Sequence, residues 1–223
     1  MKSQRAPRLG QALRWGAVLA AAVGYSVVAH RVAAAAAPDV FSVLVAVAPM
    51  TALAFVMAWR SSRRAMLVAL WLLACAGLYG ISGWLLTHYH WVFMLEHAGV
   101  YALLCLAFGK SLQAGRTPLV TGFARLVHRT MSPALIAYTR TVTWAWTIYF
   151  GTISALSLLL FWLAPITVWS TFANLLGLPL LALMFAGEYA VRCHVLPVQD
   201  RAGPLEAIRA YRQASSAGST RHP

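Results

Sequence analysis

Residues 141–163 read TVTWAWTIYFGTISALSLLLFWL, 23 positions without a charge. A helix needs roughly 20 mainly apolar residues to cross the hydrocarbon core of a bilayer. Here the apolar residues form one block, not the stripe of an amphipathic surface helix. Ala164–Pro165 follows, and a second apolar block fills 170–191. So short a connection makes the two segments an antiparallel helical hairpin.

Working outward, four more apolar blocks appear at 15–37, 40–59, 65–86 and 91–108. The chain is 61% hydrophobic and 10% charged, with mean hydropathy +0.69. Soluble domains carry about a quarter charged residues. Lipid offers the backbone no hydrogen-bond partners, so spanning segments fold as helices or closed barrels. The ten-residue alternation of a barrel is absent. The reading is an all-α polytopic membrane bundle of six transmembrane helices over 1–197, with a cytoplasmic tail over 198–223.

The net charge of +13 fits basic flanks of membrane spans rather than nucleic acid, because no basic stretch is interleaved with aromatics. Of the 18 Lys and Arg residues, all but Arg31 fall before the first span, between the second and third, between the fourth and fifth, or after the sixth. Those segments belong on the cytoplasmic side. The expected location is therefore a bacterial inner membrane, multi-pass, with both termini cytoplasmic. An N-terminal signal cleaved near Ala37 would leave five spans. Pro38 directly after the cut and His30–Arg31 within the apolar stretch argue against it.

His88–Tyr89–His90 is read as the turn between spans three and four. Gly77, Gly80 and Gly83 offer a face for close helix packing, and Pro49 and Pro179 predict kinks. In the longest inner loop, Leu119, Val120, Phe123, Leu126, Val127 and Met131 fall on one helical face, opposite Arg125, His128 and Arg129. That pattern predicts an amphipathic interfacial helix near 119–131. Ser132–Pro133 then starts the next helix, with Ser132 as N-cap. A short helix is expected at 204–211.

Intramembrane acids are functional candidates, and the apolar spans hold two, Glu96 and Glu188. Glu188 has Arg192 four residues on, and Arg140 enters the membrane at similar depth. The expectation is an inner charge cluster of Arg140, Glu188 and Arg192 with Arg125 nearby, either structural or in contact with a lipid headgroup or acyl carrier. Ser82 in Gly80–Ile81–Ser82–Gly83 matches the GxSG pattern of rhomboid proteases. It lies at about the depth of His97, so Ser82, His97 and Glu96 are weak catalytic candidates beside the plainer reading of a glycine packing face. No HExxH pattern or repeated His box is present, so neither a metal nor another cofactor is expected. Cys75, Cys105 and Cys193 are expected to form neither a disulfide nor a zinc site.

Three stretches carry a resemblance: Thr117–Pro118–Leu119–Val120 leading into Phe123–Ala124–Arg125–Leu126; Tyr138–Thr139–Arg140 with Val142–Thr143 and Trp146; and Phe185–Ala186–Gly187–Glu188–Tyr189 with Val191–Arg192. Over residues 95–197 the chain resembles a family of uncharacterised bacterial inner-membrane proteins encoded in or near aryl-polyene (xanthomonadin-like) biosynthetic clusters, beside fatty-acid-synthase-like enzymes. The resemblance implies a role at the cytoplasmic membrane in making or moving a polyketide- or fatty-acid-derived lipid. The implied partners are the bilayer and acyl-carrier or ketosynthase-type proteins. The expected function is a non-enzymatic accessory protein, a scaffold or lipid handler. The alternatives are a membrane-embedded acyl hydrolase or transferase and a small exporter or flippase.

Overall fold

The computed structural model describes residues 6–35, 39–127 and 131–197. The expected helix at 204–211, together with His128 and Arg129, lies outside them. Every regular element among the described residues is helical: α1 (Ala6–Ala33), α2 (Val40–Arg60), α3 (Arg64–Gly80), α4 (Ser82–Ser111), α5 (Leu119–Val127), α6 (Pro133–Leu163), α7 (Ile166–Ser170), a π-helical segment (Thr171–Leu176) and α8 (Gly177–Val195). Five stretches among these residues are long and apolar enough to cross a membrane: Leu13–Ala33, Val40–Arg60, Ser82–Ser111, Pro133–Leu163 and Ile166–Val195. They fit a multi-pass membrane protein.

The span expected at 65–86 is divided. Helix α3 has 17 residues and gives way at Ile81 (φ −101°, ψ 14°), a β-branched residue set between the weak helix formers Gly80 and Gly83. Hydrogen bonding continues across the break, from Ile81 N–H to the Gly77 carbonyl (3.1 Å) and from Leu85 N–H to the Ile81 carbonyl (3.0 Å). The expected three-residue turn at His88–Tyr89–His90 lies within α4, where His88 alone leaves helical values (φ −122°, ψ 17°). The Thr87 hydroxyl donates to the Trp84 carbonyl at this point, and the His88 ring stacks on Trp84 at 4.4 Å.

The chain forms two compact units, one of residues 1–97 and 157–178, the other of 98–156 and 179–223. In the first unit, Asp39 caps α2. Its Oδ1 accepts from the Ser42 N–H (2.8 Å) and hydroxyl (2.7 Å), and its own N–H donates to Ser42 Oγ (3.4 Å). Pro49 lies inside α2 and has no N–H to offer the Val45 carbonyl four residues back. Tyr25 of α1 supplies the missing donor at 3.2 Å. Trp71 of α3 donates its indole N–H to the Thr51 carbonyl at 2.9 Å. No residue of α3 is buried. A Cβ added to Gly77, Gly80 or Gly83 would meet nothing within 4 Å, so the glycine face expected to pack closely is open.

In the second unit, Leu135, Tyr138, Val142, Trp146 and Phe150 recur at helical spacing along α6 and form a core with Leu196. Close glycine packing occurs here. A Cβ on Gly151 would lie 3.2 Å from Cys105 Sγ, and one on Gly109 3.4 Å from the Thr147 methyl. Ser132 caps α6 as expected, its Oγ accepting from the Leu135 N–H (3.1 Å). Helix α5 is held against α6 through its polar edge. The Thr121 and Thr139 hydroxyls meet at 2.8 Å, and the Val120 N–H donates to Thr143 Oγ1 at 3.3 Å. Phe123, Arg125 and Leu126 are exposed.

Candidate functional site

Glu188 and Arg192 lie one turn apart on α8, so their side chains share a face. Arg192 donates Nε and Nη2 to Glu188 Oε1 (3.0 and 2.8 Å) and Nη2 to Oε2 (2.9 Å). Tyr138 of α6 completes the group. Its hydroxyl faces both Glu188 Oε1 (3.0 Å) and the Glu188 carbonyl (3.1 Å), and one proton serves the two acceptors.

Arg140 does not join this cluster, contrary to expectation. Each helical residue turns the side-chain direction by about 100°. The face that aims Tyr138 at Glu188 therefore aims Arg140 elsewhere, and its Nη2 donates to the Leu112 carbonyl at 3.2 Å. Arg125 is exposed on α5. The structure thus brings Glu188 and Arg192 together, without Arg140 or Arg125. Tyr138 answers Glu188 as a neutral donor, a role that charge pairing in the sequence does not signal.

A groove of about 660 Å³ runs between α6 and α8, lined by Tyr138, Val142, Ala145 and Ile153 on one wall and by Leu183, Gly187 and Glu188 on the other. Leu180 and Val191 are its limits on α8, about 16 Å apart at 1.5 Å per residue. That is close to half of a roughly 30 Å hydrocarbon core. Glu188 and Tyr138 stand at one end, and the walls beyond them are mainly apolar. Gly187 keeps that end open, since a Cβ there would touch nothing within 4 Å. Of the ion pair, it is Glu188 and not Arg192 that lines the groove.

The other predicted residues lie in the first unit. His97 Nδ1 is 3.0 Å from Ser157 Oγ, and the Trp169 indole N–H donates to the same oxygen at 3.1 Å. Ser157 and Trp169 are completely buried, and Phe172 packs edge-on against the His97 ring. Ser82 instead lines a groove of about 400 Å³ beside Val40, Leu44, Trp71 and Leu85. The serine that reaches His97 is therefore Ser157, enclosed by aromatic side chains. The Glu96 Oε1 atom is buried and has no hydrogen-bond partner among the described residues. No three His, Cys, Asp or Glu residues meet in metal-binding geometry among the described residues.

The chain matches no protein-family model, no curated protein and no solved structure.

Proposed function

We propose that the protein is an accessory integral protein of a bacterial inner membrane. It holds the acyl chain of an aryl-polyene or fatty-acid-type lipid in the α6–α8 groove while that lipid is made or moved. The observation carrying this reading is the groove itself, lined mainly by apolar side chains along a length close to one leaflet, with Tyr138 and Glu188 at one end. The resemblance of the Tyr138–Arg140 and Phe185–Arg192 stretches to proteins from such clusters points the same way. Acyl-carrier or ketosynthase-type enzymes are the partners in this reading.

The proposal includes six crossings with both termini inside. Val40 and Leu44 share a groove with Leu85 and Leu86, and Thr51 with Trp71. This supports one antiparallel path from residue 64 to 86 beside α2, with the break at Ile81 inside it. The Tyr89 hydroxyl donates to the Ala35 carbonyl at 2.9 Å, which supports a reversal at His88 near the end where α2 begins. Tyr25 and His30 hydrogen-bond to Val45 and Ser170, which supports α1 as a retained span.

The test is lipid profiling of a strain lacking the chain. One acyl-derived lipid class should fall, wild type should restore it, and Gly187→Phe, present at normal amounts, should not. An unchanged profile, or full rescue by Gly187→Phe, would overturn the proposal.

A further inference from the structure

We infer that the turn joining α4 to α5, together with Arg140 of α6, forms a binding site for the headgroup of an anionic phospholipid. The inference is independent of the acyl-chain reading of the α6–α8 groove. It begins with charge. Residues 98–187 hold Lys110, Arg116, Arg125, Arg129 and Arg140, and not one Asp or Glu. Glu188 is the one acid among the described residues of this unit, and Arg192 and Tyr138 already bond it. Arg140 instead donates to the Leu112 carbonyl at 3.2 Å. Its positive charge is therefore answered by no carboxylate among the described residues.

The fold gathers these cations. The Arg140–Leu112 bond ties α6 to the end of α4, and from there the chain doubles back. The Gln113 N–H donates to the Lys110 carbonyl (3.4 Å) and the Arg116 N–H to the Gln113 carbonyl (3.1 Å). Gly115 takes φ 78°, a conformation open to glycine without strain. The Leu119 N–H closes the turn on Ser111 Oγ at 3.0 Å. Lys110 and Arg116 thus stay within a few residues of the carbonyl that Arg140 holds, and all three residues are exposed. The Leu112 bond takes one of the five N–H donors of a guanidinium. Two oxygens of a phosphate diester match the rest of that fork.

The surroundings favour a lipid over a soluble phosphate. Thr121 of α5 bonds Thr139, the residue before Arg140, so α5 lies against the same part of α6. Beside Arg125 on that helix, Phe123 and Leu126 are 51% and 45% exposed. A phospholipid sets acyl chains against such side chains beneath its headgroup, and a free phosphate has nothing to place there. A choline or ethanolamine head would bring an ammonium group among these cations, where like charges repel. A glycerol head brings none.

The experiment uses the full chain in an uncharged detergent. Native mass spectrometry counts the lipid retained from an equimolar mixture of phosphatidylglycerol and phosphatidylcholine. Phosphatidylglycerol should be favoured about tenfold, as a hydrogen bond between charged groups allows. Arg140→Gln should remove most of that preference, and Arg140→Lys should keep part of it. Lys110→Gln combined with Arg116→Gln should lower it as well. Arg60→Gln combined with Arg64→Gln, at exposed basic residues of the other unit, should leave it unchanged. Equal retention of the two lipids by the wild type would overturn the inference. So would an equal loss from the Arg60/Arg64 and Arg140 variants, the mark of diffuse attraction. Displacement of the lipid by equimolar glycerol 3-phosphate would make the ligand a soluble phosphate, and displacement by polyglutamate would make it an acidic protein; either result sinks the lipid assignment. The wild-type competition and the Lys110/Arg116 variant keep the test decisive if Arg140→Gln fails to fold.

Discussion

Three local arrangements have measurable consequences. Pro49 deprives the Val45 carbonyl of its helical partner, and Tyr25 replaces it. Tyr25→Phe should cost about 1 kcal/mol in an unfolding titration. In a Pro49→Ala background the restored N–H should make the same substitution nearly neutral, and equal losses in both backgrounds would disprove the linkage. The Glu188–Arg192 pair makes a second case. Glu188→Gln should destabilise, by less than the about 3–5 kcal/mol of a fully buried pair, because the Arg192 side chain is 23% exposed. Arg192→Gln added to it should recover part of the loss. Arg140→Gln, acting on the Leu112 carbonyl instead, should add its cost independently within about 0.5 kcal/mol. The Asp39 cap carries a pH signature, since hydrogen bonds from Ser42 hold its carboxyl below the ordinary value of 3.8. A carboxyl lowered by folding stabilises the fold above its unfolded value and loses that contribution as pH falls through the lowered one. The gap in melting temperature between wild type and Asp39→Ala should therefore be present near neutrality and close in strong acid.

At the scale of elements, glycines give the clearest contrast. Gly151→Leu should destabilise by about 1–3 kcal/mol, because Cys105 Sγ already stands 3.2 Å from where a Cβ would be. Gly77→Ala and Gly80→Ala should be tolerated, because open space surrounds those positions. The regular Gly77–Gly80–Gly83 spacing was the conspicuous signal in the sequence, yet spacing does not say whether a partner lies opposite. The isolated Gly109 and Gly151 were silent because their partners come from distant positions. Helix α5 shows what was legible. Its amphipathic pattern and the Ser132 cap are local, so the sequence carried them. Its anchoring by Thr121 on Thr139 was not, because a threonine at mid-helix looks the same facing water or another hydroxyl. Cysteine scanning should find Arg125→Cys open to a water-soluble thiol reagent. Phe123→Cys should be shielded in bilayers, and Thr121→Cys should stay unreactive in detergent. Equal labelling at all three sites would mean that α5 is not docked.

For the whole molecule, the decisive question is how often the chain crosses between residues 60 and 116. Arg60, Arg63 and Arg64 precede this stretch, and Lys110 and Arg116 close it. In the proposed topology basic residues mark the cytoplasmic side, so the two ends share a side and the number of crossings between them is even. A single passage by the 30-residue α4 with α3 lying outside the hydrocarbon would make it odd. It would also leave the apolar α3, with residues such as Leu72 and Leu73 exposed, without a lipid environment. Two crossings that reverse at His88 satisfy both the charges and the α2–α3 groove. Reporter fusions after residues 62 and 116 should then read as cytoplasmic and a fusion after residue 88 as periplasmic. The same pattern requires fusions after 166 and 205 to read as periplasmic and cytoplasmic. Opposite sides at 62 and 116 would reduce the count to an odd number of spans. It would also move the Glu188–Arg192 end of the α6–α8 groove to the outer face, away from any enzyme delivering acyl chains from the cytoplasm.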